Sequence, residues 1–129
     1  CVGVHLSLDR RERWGHAQQL LTHLDGLRRQ YETPHVIVGG DFNERPDGAT
    51  WTLFADAGLR DVWSAAPPAK RGGELTFPAD ATDRRIDGVL VSAGLTVDWV
   101  GVPEEMSDIP YARASDHRPV LAVLRLPAR

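Results

Sequence analysis

The sequence has little that would build a covalent or membrane-anchored architecture. One cysteine in 129 residues excludes an internal disulfide and leaves no Cys-based zinc site. No stretch approaches the ~18 consecutive apolar residues of a membrane span, and no basic-then-apolar segment ends in a small-residue cleavage signal. Strong charge of either sign is missing too. Fifteen Lys+Arg against 18 Asp+Glu leave a formal −3, so no global field draws in a polyanion and any nucleic-acid contact has to be local. The arginines at 10, 11 and 13 and at 84 and 85 are candidates for such contact, against the plainer reading of solvated faces. Repeats and low-complexity tracts are absent, and composition leaves the compartment open. Position 1 is Cys1 rather than Met, and the only methionine is Met106, so the sequence reads as one cut from a longer chain.

Without those devices the fold has to rest on a hydrophobic core. A 42% hydrophobic content over 129 residues suits one soluble globular domain, which at this size buries roughly two thirds of its unfolded surface. Residues 1 to 6 alternate as a strand, with Val2, Val4 and Leu6 on one face and His5 on the other. From Arg11 to Tyr31, Trp14, Ala17, Leu20, Leu21, Leu24, Leu27 and Tyr31 recur at helical spacing, until Thr33-Pro34 stops the helix. Val36-Ile37-Val38 is a buried strand leaving through Gly39-Gly40, which completes a βαβ unit with parallel strands. A short helix spans Ala49 to Ala57, and a Pro, Ala and Gly loop spans Ala65 to Gly73. Arg85 to Val91 and Leu95 to Val102 are two β segments joined by a hairpin-like turn at Ser92-Ala93-Gly94, and Val120 to Leu126 is the last strand.

Three clusters set polar residues against these apolar runs: Gly39-Gly40-Asp41-Phe42-Asn43, Arg85-Ile86-Asp87-Gly88-Val89 and Ser115-Asp116-His117-Arg118-Pro119. Asp41 follows its strand, Asp87 begins one, and Asp116-His117 precedes another. If the first strand runs antiparallel to the other two, all of these side chains converge on one sheet edge. Carboxylates, an imidazole and an amide donor are what phosphoester hydrolysis needs: an oriented water, stabilised phosphoryl charge and help for the leaving alkoxide. Oxygen donors in this number suit Mg²⁺, which uses one or two carboxylates and keeps several waters, with Mn²⁺ as a substitute. Each cluster has a plainer reading. Asp41 and Asn43 are ordinary Asx-turn residues, Asp87 could pair structurally with Arg84 or Arg85, and Ser115-Asp116-His117 could merely cap a strand. Arg85, two residues before Asp87, is expected on the same side of the strand, where it could hold a phosphate.

The order and company of these clusters resemble the endonuclease/exonuclease/phosphatase superfamily of DNase I-like enzymes, from Val2 to Leu126. The resemblance implies a DNase I-like α/β sandwich of which residues 1–129 form a single partial domain: the carboxy-terminal half, with one mixed sheet and a covering helix. It implies that Asp41 orients or deprotonates the attacking water and Asn43 donates to the phosphoryl oxygen. In the same scheme Asp87 orients His117, which contacts or protonates the scissile phosphate, while Asp116 and Asp41 contribute to the metal shell. His5 is implied to reach the phosphate and Thr76 to line the cleft beside it. An Asn near the first strand and the Glu that is the principal metal ligand belong, in the superfamily, to a first half that nothing here replaces. The resemblance therefore implies a metal-dependent phosphodiesterase, nuclease or phosphatase acting on a nucleic acid, phospholipid or inositol phosphate. The rivals are an incomplete fragment serving as an interaction module or remnant, and an ordinary α/β domain whose acids cap strands. An uncovered sheet face is expected to favour self-association.

Overall fold

In the computed structural model, which describes residues 1–105 and 108–128, the chain enters along strand β1 (Val2–His5) and returns through a long helix, α1 (Arg10–Gln30). Asp9 starts that helix by accepting the N–H groups of Arg11 and Glu12, which are among the donors a helix N-terminus leaves unpaired. Arg28 and Arg29 place positive charge in its last turn, where the helix dipole favours it. The buried stripe of α1 is Arg13, Ala17 and Leu24, with Leu20 and Leu21 partly covered. Trp14 and Tyr31, which share the helical spacing, stay exposed.

Strand β2 (Ile37–Asp41) lies parallel to β1, and the βαβ unit is as expected. The strand continues through both glycines instead of ending before them. A Cβ on Gly40 would lie 1.8 Å from the carbonyl oxygen of Val4, so only glycine lets the two backbones pair there. Helix α2 (Ala49–Asp56) follows and lies over the sheet. Gly58 then turns at φ 83° into β3 (Leu59–Asp61) and the short α3 (Val62–Ala65). Strand β4 (Asp87–Ser92) inserts between β2 and β3, giving a sheet of order β1-β2-β4-β3.

β4 and β5 (Thr96–Gly101) do not form the hairpin expected from their spacing. Both edges of β4 are already taken, by β2 and by the unforeseen β3. The turn at Gly94, with φ 89°, therefore carries the chain into a second sheet, where β5 pairs with β6 (Leu121–Arg125) after the small helix α4 (Tyr111–Ala114). The single mixed sheet of the sequence reading is thus two sheets.

Two cores result. Val38, Leu90, Phe42, Trp51, Phe54, Ala17 and Leu24 fill the space between the first sheet and its helices. Val91, Val97, Val100, Val62 and Trp63, with Ile37, Ala122 and Leu124, join the sheets face to face. Alternation along β6 leaves Leu121 and Val123 on the outer face at 48% and 46% exposure. Among the described residues, no strand pairs with the outer edge of β1 or of β6.

Candidate active site

Strand register builds the site. His5 pairs with Asp41 across the β1–β2 ladder, and Asp41 pairs with Asp87 across β2–β4, so the three residues form one row at the end of the first sheet. The antiparallel relation of β2 and β4, which convergence of the clusters requires, is what brings the two carboxylates together. Phe42 locks the row from below: its fully buried ring lies 4.7 Å from that of Trp51 and 5.8 Å from that of Phe54, and its N–H donates to Ile86. An inward Phe42 turns Asp41 the opposite way, and the Asx turn with Asn43 at φ 48° brings Asn43 to the same cleft, which is the structural content of the Gly-Asp-Phe-Asn motif.

His117 completes the group from the loop before β6. Its Nδ1 lies 2.8 Å from Asp87 Oδ2 and its Nε2 3.7 Å from Asp41 Oδ2. Because a carboxylate only accepts, Nδ1 carries the hydrogen in this contact and Nε2 turns to the cleft. The Phe77 ring, 4.8 Å from the imidazole, walls its other side. Asp41 divides its oxygens: Oδ1 accepts the Asn43 N–H at 2.8 Å, forming the Asx turn, while Oδ2 faces both His117 and His5, the latter at 3.5 Å. The turn reading and the functional reading of Asp41 are therefore compatible.

Burial pushes the Asp41 carboxyl above its ordinary range, and the nearby Asp87 adds to this. The Asn43 N–H and the two histidines pull the other way without cancelling it. For His117, burial works against the charged form. The hydrogen bond to Asp87 and the charges of Asp87, Asp41 and Asp116 outweigh it and raise the imidazole above its usual value.

These groups line a cleft of about 530 Å³ that includes His5, Asn43 and Asp116. Asn43 holds φ 48°, and its amide donates to the Leu6 carbonyl at 2.7 Å, which fixes the side chain and leaves its second N–H without a partner among the described residues. His5 is 77% exposed at the rim. Asp116 is exposed on the same cleft but stands outside the tight group of Asp41, Asp87 and His117, whose ligand atoms lie within 4.8 Å of one another. Two half-buried carboxylates beside an open cleft fit a hard divalent cation that retains water.

Two expected residues go elsewhere. Arg85 is not on the cleft: β4 starts only at Asp87, so strand alternation does not extend back to 85. Its guanidinium, 6% exposed, forks onto Asp61 at 3.1 and 2.7 Å and lies 4.5 Å over Trp63 and 5.2 Å over Trp51. Thr76 is fully buried and does not line the cleft; its hydroxyl accepts the N–H groups of Ile86 and Asp87 at 3.3 Å, and its carbonyl accepts that of Arg118. It thus supports the strand carrying Asp87 and the loop carrying His117. The cation that does reach the cleft is Arg84, paired with Asp83 and 5.6 Å from the Phe77 ring. Neither arginine pairs with Asp87. Phe77 and Leu8, also on the cleft, carried no signal in the sequence beyond their apolarity.

A profile of the Endonuclease/Exonuclease/phosphatase family matches residues 2–117. The chain belongs to this family. Its DNase I-like fold is shared with the mannosyl-6-phosphatase of Bacteroides thetaiotaomicron VPI-5482, at TM-score 0.81 and 24% identity, over 96% of this chain and 50% of that one. The human Nocturnin catalytic domain with bound sulfate superposes at TM-score 0.73 and 19% identity, over 98% and 47%. The D. rerio TDP2 complexed with a single-strand DNA product does so at 0.65 and 20%, over 96% and 55%. No curated protein sequence matches the chain. The chain spans about half the length of these endonuclease/exonuclease/phosphatase-fold structures. No helix among the described residues is long and apolar enough to cross a membrane.

Proposed function

We propose that this chain carries the catalytic half-site of a metal-dependent phosphoester hydrolase, with Mg²⁺, or Mn²⁺ in its place, as the cofactor. The observation that supports this most is the His117–Asp87 contact set directly over the Asp41 carboxylate. Asp41 and Asp87 would hold the ion, with Asp116 reaching it from the cleft wall. When bound, the cation supplies charge stabilisation at the phosphoryl oxygens.

The chain's own groups carry the rest. Asp41 Oδ2 is placed to orient the attacking water. The second amide N–H of Asn43 donates to a phosphoryl oxygen, a contact whose loss typically lowers the rate about 10²–10³-fold. His117, whose charged form the pairing with Asp87 favours, holds or protonates the phosphate through Nε2. Arg84 and His5 bind the phosphate from the rim. Thr76 acts as a positioning residue and Arg85 as a structural one.

Residues 1–129 form one partial domain in this reading, and the exposed outer face of β6, with Leu121 and Val123, favours self-association or a covering polypeptide. The substrate is a phosphoester, with nucleic acids and sugar phosphates both within the family's reach. A second reading, a catalytically incomplete fragment, is favoured by one observation: the chain spans about half of its structural relatives.

Bis(p-nitrophenyl) phosphate, with its good leaving group, separates the two. The expected result is slow nitrophenolate release that requires Mg²⁺ or Mn²⁺, stops with EDTA and is lost in Asp41→Ala and His117→Ala. Metal binding without turnover would favour the incomplete fragment. The absence of both binding and turnover would overturn the proposal.

A further inference from the structure

A second cleft of about 530 Å³ adjoins the catalytic one, lined by Arg10, Arg11, Trp14, Glu44, Ala49 and Thr50. The two clefts abut across the segment from Ser7 to Asp9 and the Asn43–Glu44 peptide: Leu8 and Asn43 line the first, Arg10 and Glu44 the second. Arg13 stiffens that partition by donating to the carbonyls of Ser7 and Leu8 at 3.0 and 2.9 Å.

The second cleft has an unusual pairing of chemistry. On α1, Trp14 is four residues from Arg10 and three from Arg11, so both guanidinium groups neighbour the indole on one helix face. Trp14 remains 38% exposed and makes no ring contact among the described residues, whereas Trp51 and Trp63 are buried under Arg85. Three of the nearby acids are engaged. Glu44 Oε1 faces Arg13 at 3.4 Å and its Oε2 accepts the Thr50 N–H at 2.7 Å. Asp9 caps α1, and Glu12 accepts from the Ser7 hydroxyl at 2.8 Å. Arg10 and Arg11 have no acidic partner among the described residues, so the cleft presents positive charge beside a free aromatic face.

We propose that this cleft binds a nucleotide flanking the scissile phosphate of a single-stranded nucleic acid. The base stacks on Trp14, and Arg10 and Arg11 hold the phosphates on either side. The inference rests on the phosphoester reading of the catalytic cleft and narrows its substrate to a polynucleotide.

Anisotropy of a fluorescein-labelled single-stranded oligothymidylate, in EDTA to prevent cleavage, tests it. Trp14→Ala is expected to weaken binding about 5- to 150-fold, the range found for one stacked base. Arg10→Gln/Arg11→Gln should make the slope of log affinity against log salt shallower by about 1.4. All three residues are exposed, and circular dichroism should show the fold unchanged. Short polyphosphate, which lacks bases, should bind with no dependence on Trp14, and dTMP more weakly than the oligomer. The inference is overturned if the wild type does not bind the oligomer, if Trp14→Ala binds it equally, or if polyphosphate or dTMP matches it. Metal-dependent cleavage of the aryl diester without oligomer binding would sink this inference alone. Trp14-dependent oligomer binding without any metal binding would uphold the cleft and sink the hydrolase reading.

Discussion

His117 Nδ1 lies 2.8 Å from Asp87 Oδ2, and this contact ties the loop before β6 in the second sheet to the first residue of β4 in the first. Its pH dependence has a definite sign. Burial opposes the charged imidazole, but the Asp87 hydrogen bond and the surrounding carboxylates raise its pKa above the ordinary 6.5. The resulting stabilisation is complete below that ordinary value and is lost as pH rises through the folded-state value. An NMR titration of the His117 ring should show a midpoint above 6.5 in the metal-free protein and a lower one in Asp87→Asn. Identical midpoints in the two proteins would contradict the pairing.

Asp41 has the opposite consequence. Its carboxyl is raised by burial and by Asp87 from an ordinary 3.8, so folding favours the protonated form and stability falls as pH climbs from that value through the folded one. Asp41→Asn, which keeps an oxygen for the Asn43 N–H, should therefore leave the metal-free melting temperature at neutral pH unchanged or higher. A clear drop in Tm would show that Asp41 is chiefly structural.

The neighbouring arginines should behave differently. Arg85→Ala strands Asp61 and uncovers Trp51 and Trp63, and removing one partner of a buried pair costs about 3–5 kcal/mol. Arg84→Ala should leave the urea midpoint in place and weaken binding of inorganic phosphate at the cleft. The reverse pattern would restore Arg85 as the phosphate ligand.

Thr76 offers a quieter test. Thr76→Val keeps the shape but removes the acceptor for the Ile86 and Asp87 N–H groups, at a cost of about 1 kcal/mol. Thr76→Ser should restore the urea midpoint. Equal midpoints for Val and Ser would mean that the hydroxyl does not support this strand.

The grouping of the site's residues was legible because they come in dense clusters at strand ends, where alternation and polarity decide which way they face. Asp41, Asn43, Asp87, Asp116 and His117 share one cleft because β2 and β4 run antiparallel in the register that pairs Asp41 with Asp87. Arg85 lies off the cleft because β4 begins only at Asp87, and alternation does not reach two residues back beyond that boundary. The partner of β5 could not be read locally, because it depends on β3 occupying the free edge of β4. That strand is only Leu59–Asp61, too short for a periodic signal. Trp14 shares the helical spacing of the core residues, yet Arg13 takes the buried position beside it by pairing with Glu44. Long-range charge pairing of that kind leaves no trace in hydrophobic periodicity.

Calorimetric titration with Mn²⁺ tests the central claim most directly. Saturable binding to the wild-type chain, lost in Asp41→Asn and weakened in Asp116→Ala, is the predicted result. Binding that is absent from the wild type, or unchanged in Asp41→Asn, would contradict it.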